Sequence, residues 1–335
     1  MAEQKIIQQE GQIAKLEDYR AWEDVFTTWL KNYKSENTRK KYREIVEEFF
    51  KWVDKWFTDV EKLDVIDWRD YLEHDREIAR QAKDGSSHYA KARLSDTSVN
   101  LYLSALSSFY SFAKERGLVE SNPTDDVKRN PINPYGKATY LNIEKGQDLQ
   151  LLRGIETDTE KGLRDKAIVL LMLTTAIRVG AVSDATVGDI MDLNGQWYLM
   201  YRNKGGERQT ALLTSPVIKA IRAYLAARGT VAESDPLFAT VIGNSINPKK
   251  EAGKRLSGTA ITNMVARRAK KVGLHHITAH SLRHSAAVQA IQHGSVGDVQ
   301  KLLKHKSNRV TLIYIDHIED NKADEMTEKL ASRYE

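Results

Sequence analysis

Apolar side chains recur every three to four positions in three separate runs of the first third of the chain. In ENTRKKYREIVEEFFKWV, Tyr42, Ile45, Val46, Phe49 and Val53 fall on one helical face, and Arg39, Lys40, Lys41 and Arg43 crowd its first turns. SDTSVNLYLSALSSFYSFAKERG puts Val99, Tyr102, Leu103, Leu106, Tyr110 and Ala113 on one stripe, with Gly117 where a C-terminal cap belongs. Between them, DVIDWRDYLEHDREIARQ reads as a third helix that runs to Gln81. The pattern breaks in ESNPTDDVKRNPINPYGK, where Pro123, Pro131, Pro134 and Gly136 forbid continued helix. A domain boundary near residue 133 follows.

Beyond that boundary, KGLRDKAIVLLMLTTAI reads as a buried helix, and GQWYLMYRNKGGERQTALLTS has two short strand-like runs around Gly205-Gly206, a hairpin signal. TAHSLRHSAAVQAIQHG is a helix ending at Gly294, and SVGDVQKLLKH opens with Ser295 and Asp298 spaced as a capping pair. In the tail, Met326, Leu330 and Tyr334 lie four apart, along one face of a short terminal helix. The expected fold is mainly α. An N-terminal extension (1–20) leads into an all-helical domain (21–133), and a mostly helical α+β domain with a small antiparallel sheet follows (134–335).

Composition narrows the class. A length of 335 residues supports two domains with a core each. The longest apolar run, Ala167 to Leu173, is too short to cross a bilayer, and the N-terminus lacks a signal-peptide core, so a cytoplasmic setting with no membrane partner is expected. Cysteine is absent, which excludes disulfides, thiol nucleophiles and cysteine metal sites. The net charge of +5 and pI near 9.0 favour a polyanionic partner.

Six polar residues stand at the edges of the second domain's elements: Arg178, Lys204, His280, Arg283, His305 and Tyr314. Alone, each also fits an ordinary role, as a helix cap, a solvated turn residue, a surface pair or a core tyrosine. Together they share one chemistry. Arginine forks match phosphate oxygens, imidazoles and lysine move protons, and a tyrosine hydroxyl can attack phosphorus. No P-loop and no carboxylate cage for magnesium accompanies them, so neither a metal nor another cofactor is expected.

TTAIRVGAVSDATVGDI, RNKGGERQT, TAHSLRHSAAVQAIQHGSVGDVQKLLKH and VTLIYIDH resemble, in order and spacing, the signature of the tyrosine recombinases, of which the phage-type integrases are part. The layout without a large arm-binding domain is similar to the Xer-like members. In that family an arginine follows a buried helix, and a hairpin lysine, an HxxR pair, a histidine or tryptophan and the tyrosine come after it. The resemblance assigns these places to Arg178, Lys204, His280 with Arg283, His305 and Tyr314. Three departures stand out: Ala181 where an acid usually supports the first arginine, with Asp184 as a candidate substitute, Lys304 where glycine usually precedes the second histidine, and a hairpin one residue short.

The resemblance implies a site-specific recombinase that cuts duplex DNA through a 3′-phosphotyrosyl intermediate, without ATP. Tyr314 would attack, Arg178 and Arg283 would clamp the phosphate, Lys204 would protonate the leaving 5′-oxygen, His280 would relay a proton and His305 would donate to the phosphate. The helical domain would grip DNA through Arg39, Lys40, Lys41 and Arg43, and through Lys91 and Arg93. The implied partner is double-stranded DNA with paired inverted half-sites, bound by a homo-tetramer that is monomeric in solution and linked through its terminal helices. Two alternatives stay open: type IB topoisomerase-like relaxation, and a DNA-binding factor of recombinase descent that no longer cuts.

Overall fold

In the computed structural model, which describes residues 16–81, 87–132, 139–202, 206–241 and 252–304, the amphipathic runs of the first third become helices around one aromatic core. The chain divides into two units, Met1–Asn133 and Pro134–Glu335. In the first, α1 (Leu16–Leu30), α2 (Glu36–Val53), α3 (Lys62–His74) and α4 (Asp96–Glu115) bury Phe26, Trp29, Phe49, Trp68 and Phe109 almost completely. Phe109 meets Trp22, Trp29 and Phe50 edge-on at centroid distances of 5.5, 5.4 and 5.7 Å, an arrangement that adds quadrupole attraction to area burial. Two polar tips in this core find partners inside it. Trp29 Nε1 donates to Ser108 Oγ at 3.2 Å, and Tyr110 donates to the Phe57 carbonyl at 3.0 Å. Ser35 and Ser95 cap α2 and α4 by accepting from Thr38 and Ser98 amides.

One stretch of the first unit departs from the sequence reading. Helix α3 stops at His74, and the expected continuation is a strand, β1 (Glu77–Gln81), paired antiparallel with β2 (Ser87–Lys91). The cause lies at Arg76. Its amide bonds back to the Tyr71 carbonyl, its own carbonyl accepts from Ala92, and its guanidinium grips Glu48 on α2 at 2.7 and 3.3 Å. The main chain is thereby turned into a ladder. Asp84-Gly85, between the two runs, is the hairpin signal that helical periodicity masked.

The second unit is built on α6. In chain order it contains α5 (Gln147–Arg153), α6 (Glu160–Thr175), α7 (Val179–Asp184), the antiparallel sheet β3 (Ile190–Leu193), β4 (Gln196–Arg202) and β5 (Arg208–Leu213), then α8 (Ser215–Arg228), α9 (Gly258–Lys271), α10 (Ala279–His293) and α11 (Val296–Leu303). Strand β3 lies outside the two strand-like runs that the sequence pattern marks. It joins β4 through Asn194-Gly195, both at positive φ (56° and 81°), as a tight hairpin requires. α6 packs on α8 and α10, burying Ala167, Ile168, Leu171 and Met172 completely. Buried charge ties it to α9: Asp165 accepts from Arg164 Nη2 at 2.7 Å and, on its other oxygen, from Arg268 Nη2 at 2.8 Å. Helix α10 shows no sidedness because most of its surface is covered. Its buried Ser285 accepts from the Leu141 amide and donates to the Ser281 carbonyl, both at 2.8 Å. Ser295 and Asp298 form the expected reciprocal cap of α11.

Candidate active site

The site begins where α6 ends. Ala176 takes the left-handed conformation (φ 52°), a costly geometry for a residue with a Cβ, and turns the chain so that Arg178 becomes the N-terminal flanking residue of α7. Arg283, on the second turn of α10, answers that turn. Only 4% exposed, it donates from Nη1 to the Ala176 carbonyl and from Nη2 to the Leu303 carbonyl at 2.6 Å. One guanidinium therefore fixes the turn before Arg178 and the end of α11, two residues before His305.

Arg178, His280 and Arg283 share the wall of one concavity of about 510 Å³, together with Tyr201 and Arg202 from β4 and Asp184 from α7. His280 keeps more than a third of its surface open at the mouth of this concavity, yet its pKa is lowered. Loss of water is the larger cause, and repulsion by Arg283 and then Arg178 adds to it. Tyr201 moves the other way: burial raises its pKa, and the same two guanidiniums only partly offset the rise. The concavity thus offers two fixed cations and a neutral imidazole, a set suited to binding a tetrahedral anion and moving a proton beside it.

The first departure falls within the short helix α7. Ala181 is buried, and Asp184 is exposed on the cavity wall, bonded in no ion pair among the described residues. What steadies α7 is Arg255, which donates to the carbonyls of Ser183 at 2.7 Å and Ala185 at 3.4 Å, while Ser183 Oγ donates to the Leu256 carbonyl at 2.9 Å. No motif in the sequence announces Arg255. Lys304 answers the second departure: at φ 51° and ψ 47° it adopts the left-handed shape for which glycine is the usual residue.

Lys204, His305 and Tyr314, and the tail stripe of Met326, Leu330 and Tyr334, lie outside the described residues. The six basic candidates of the first unit separate into two groups. Arg39 and Lys40 are exposed on α2. Lys41 pairs with Glu44 at 3.6 Å, and Arg43 stacks its guanidinium over Phe26 at 5.0 Å and bonds Glu47 at 3.2 Å. Lys91 pairs with Asp75 at 3.7 Å, and Arg93 donates to the His74 carbonyl at 2.9 Å. Arg43 and Arg93 thus already serve the packing of their own unit, although each guanidinium has further donors.

Residues 142–321 match the model of the phage integrase family, and residues 25–117 match that of the phage integrase N-terminal SAM-like domain. The chain is 28% identical over 312 residues to a tyrosine recombinase, slr0733, of Synechocystis sp., covering 92% of this chain and 95% of that relative. Among solved structures it is similar to XerH site-specific recombinase bound to palindromic difH substrate in a post-cleavage complex, with TM-score 0.64 and 19% identity over 87% of this chain and 79% of that one. It is also similar to a lambda integrase tetramer bound to a Holliday junction, with TM-score 0.61 and 16% identity over 91% and 82%. At these identities the two structures bear on the fold.

Proposed function

Because this chain belongs to the phage integrase family, we propose that it is a tyrosine site-specific recombinase that cuts and rejoins duplex DNA through a 3′-phosphotyrosyl intermediate. The observation that carries the reading is the convergence of Arg178 with His280 and Arg283, which lie on a helix distant from it in sequence, on one concavity. In this role the two guanidiniums clamp the non-bridging oxygens and stabilise the phosphorane, the dominant electrostatic contribution in such a site. Neutral His280 takes part in moving the proton of Tyr314, Lys204 protonates the departing 5′-oxygen, and His305 donates to the phosphate. A 5′-hydroxyl from another strand then reverses the step. One ester replaces another, so bond energy is conserved and no ATP is consumed.

Residues 21–133 act as the DNA-gripping domain, with Arg39 and Lys40 as its most available phosphate contacts. Residues 134–335 carry the chemistry, and the tail links protomers. The similarity to a lambda integrase tetramer on a Holliday junction supports a homo-tetramer on DNA, in this reading assembled on paired half-sites from monomers. With DNA as substrate the setting is the cytoplasm, and no helix among the described residues is long and apolar enough to cross a membrane.

A two-site plasmid tests the function. With cleavage sites first mapped on the DNA flanking its own gene, the protein should exchange segments between paired sites in the presence of EDTA. Relaxation of a supercoiled plasmid without exchange would favour the topoisomerase reading, and binding with neither would favour the non-cutting one.

A further inference from the structure

Tyr201 occupies the last inward position of β4, three residues before Lys204. Alternation along the strand puts it on the same side as Trp197 and Leu199, and it packs against the core of the second unit, so its ring is fixed. Its side chain also lines the concavity of Arg178, His280 and Arg283. Three other enclosed tyrosines spend their hydroxyls on protein partners: Tyr110 on the Phe57 carbonyl, Tyr224 on the Ala239 amide and Tyr102 on Glu48. The Tyr201 hydroxyl makes no hydrogen bond among the described residues, although a packed phenol ordinarily finds one. Its partner is expected in the space it faces.

The assignment rests on the recombinase reading. We propose that the Tyr201 hydroxyl is a catalytic hydrogen-bond donor to a non-bridging oxygen of the scissile phosphate, beside Arg178 and Arg283. Burial raises its pKa, so the phenol remains protonated at neutral pH: it can donate, and it does not compete with Tyr314 as a nucleophile. A neutral donor also adds no repulsion to a pocket that already holds two guanidiniums. The ordinary alternative is that Tyr201 serves only as cavity wall, a role phenylalanine would fill equally well.

The test compares Tyr201→Phe with the unaltered protein in single-turnover adduct formation on a nicked duplex carrying the mapped site. The expected variant melts at the same temperature, binds the duplex within twofold of the unaltered protein, and forms adduct on the order of 10²-fold more slowly, the usual effect of losing one oxyanion donor. Methylphosphonate diastereomers at the scissile position add a readout that packing cannot imitate. The penalty should vanish when methyl replaces the oxygen that Tyr201 contacts and persist on the other diastereomer. Wild-type rates in Tyr201→Phe, equal penalties on both diastereomers, or a loss of adduct that tracks a fall in melting temperature would each overturn the assignment. Absence of adduct with the unaltered protein would instead overturn the recombinase reading beneath it.

Discussion

Arg283 donates through Nη2 to the carbonyl oxygen of Leu303 at 2.6 Å, and the same guanidinium reaches the Ala176 carbonyl. The residue that would clamp the phosphate is therefore also the tie between the two turns that lead to Arg178 and His305. Lysine keeps the charge but offers no planar fork, so it cannot reproduce both carbonyl bonds in the guanidinium's geometry. Arg283→Lys should lose about 1–3 kcal/mol of stability in urea denaturation, the cost of a buried acceptor left unpaired. Adduct formation should fall by on the order of 10²–10³. Unchanged stability in Arg283→Lys would contradict the tie between the two turns.

Lys304 holds a left-handed backbone that costs a side-chain-bearing residue about 1 kcal/mol. Lys304→Gly should raise the urea midpoint by the equivalent of about 0.5–1 kcal/mol. A lower midpoint would mean that the lysine side chain contributes more than its backbone costs.

Much of this architecture is legible in the sequence, for physical reasons that differ by segment. The stripes of α2 and α4 show plainly because each helix buries one face, and the Ser295–Asp298 cap shows because reciprocal bonding demands that spacing. The β1–β2 hairpin was hidden because REIARQ continues the polar and apolar rhythm of α3, and only Arg76's tertiary contacts with Glu48 and Ala92 divert it. Strand β3 is short, mostly exposed and without alternation in its burial, so the Asn194-Gly195 turn was its one signal. At the candidate site, motif order points to Arg178, His280 and Arg283, which the fold brings onto one concavity. Arg255 and Tyr201 belong to no motif, because one reaches α7 and the other the concavity only through the fold, which no spacing records.

His280 titrates below its ordinary value of about 6.5, because burial and then the two guanidiniums disfavour its proton. The unfolded chain takes up that proton near pH 6.5 and the folded one only at lower pH. Between these values the unfolded state holds more protons, so stability falls as pH drops through the window. His280→Gln should flatten that part of the stability profile below pH 6.5. In Arg178→Gln, the His280 ring resonances should titrate at higher pH than in the unaltered protein. An unchanged NMR titration would remove Arg178 from the causes of the shift.

Lys204→Ala should slow cleavage severely on ordinary DNA, because an alkoxide leaves poorly without a proton donor. A sulfur in place of the bridging 5′-oxygen should restore the rate, since a thiolate departs unaided. Failure of the sulfur substrate to rescue would exclude Lys204 as the acid and direct attention to Lys254.

The central claim is that Tyr314 becomes covalently joined to DNA, and its most direct measurement is isolation of the detergent-stable adduct on a nicked suicide duplex, followed by identification of the modified peptide. The account predicts an adduct formed in EDTA, carried by the peptide that contains Tyr314, and absent from Tyr314→Phe while that variant still binds the duplex. An adduct that persists in Tyr314→Phe, or that maps to another residue, would contradict it.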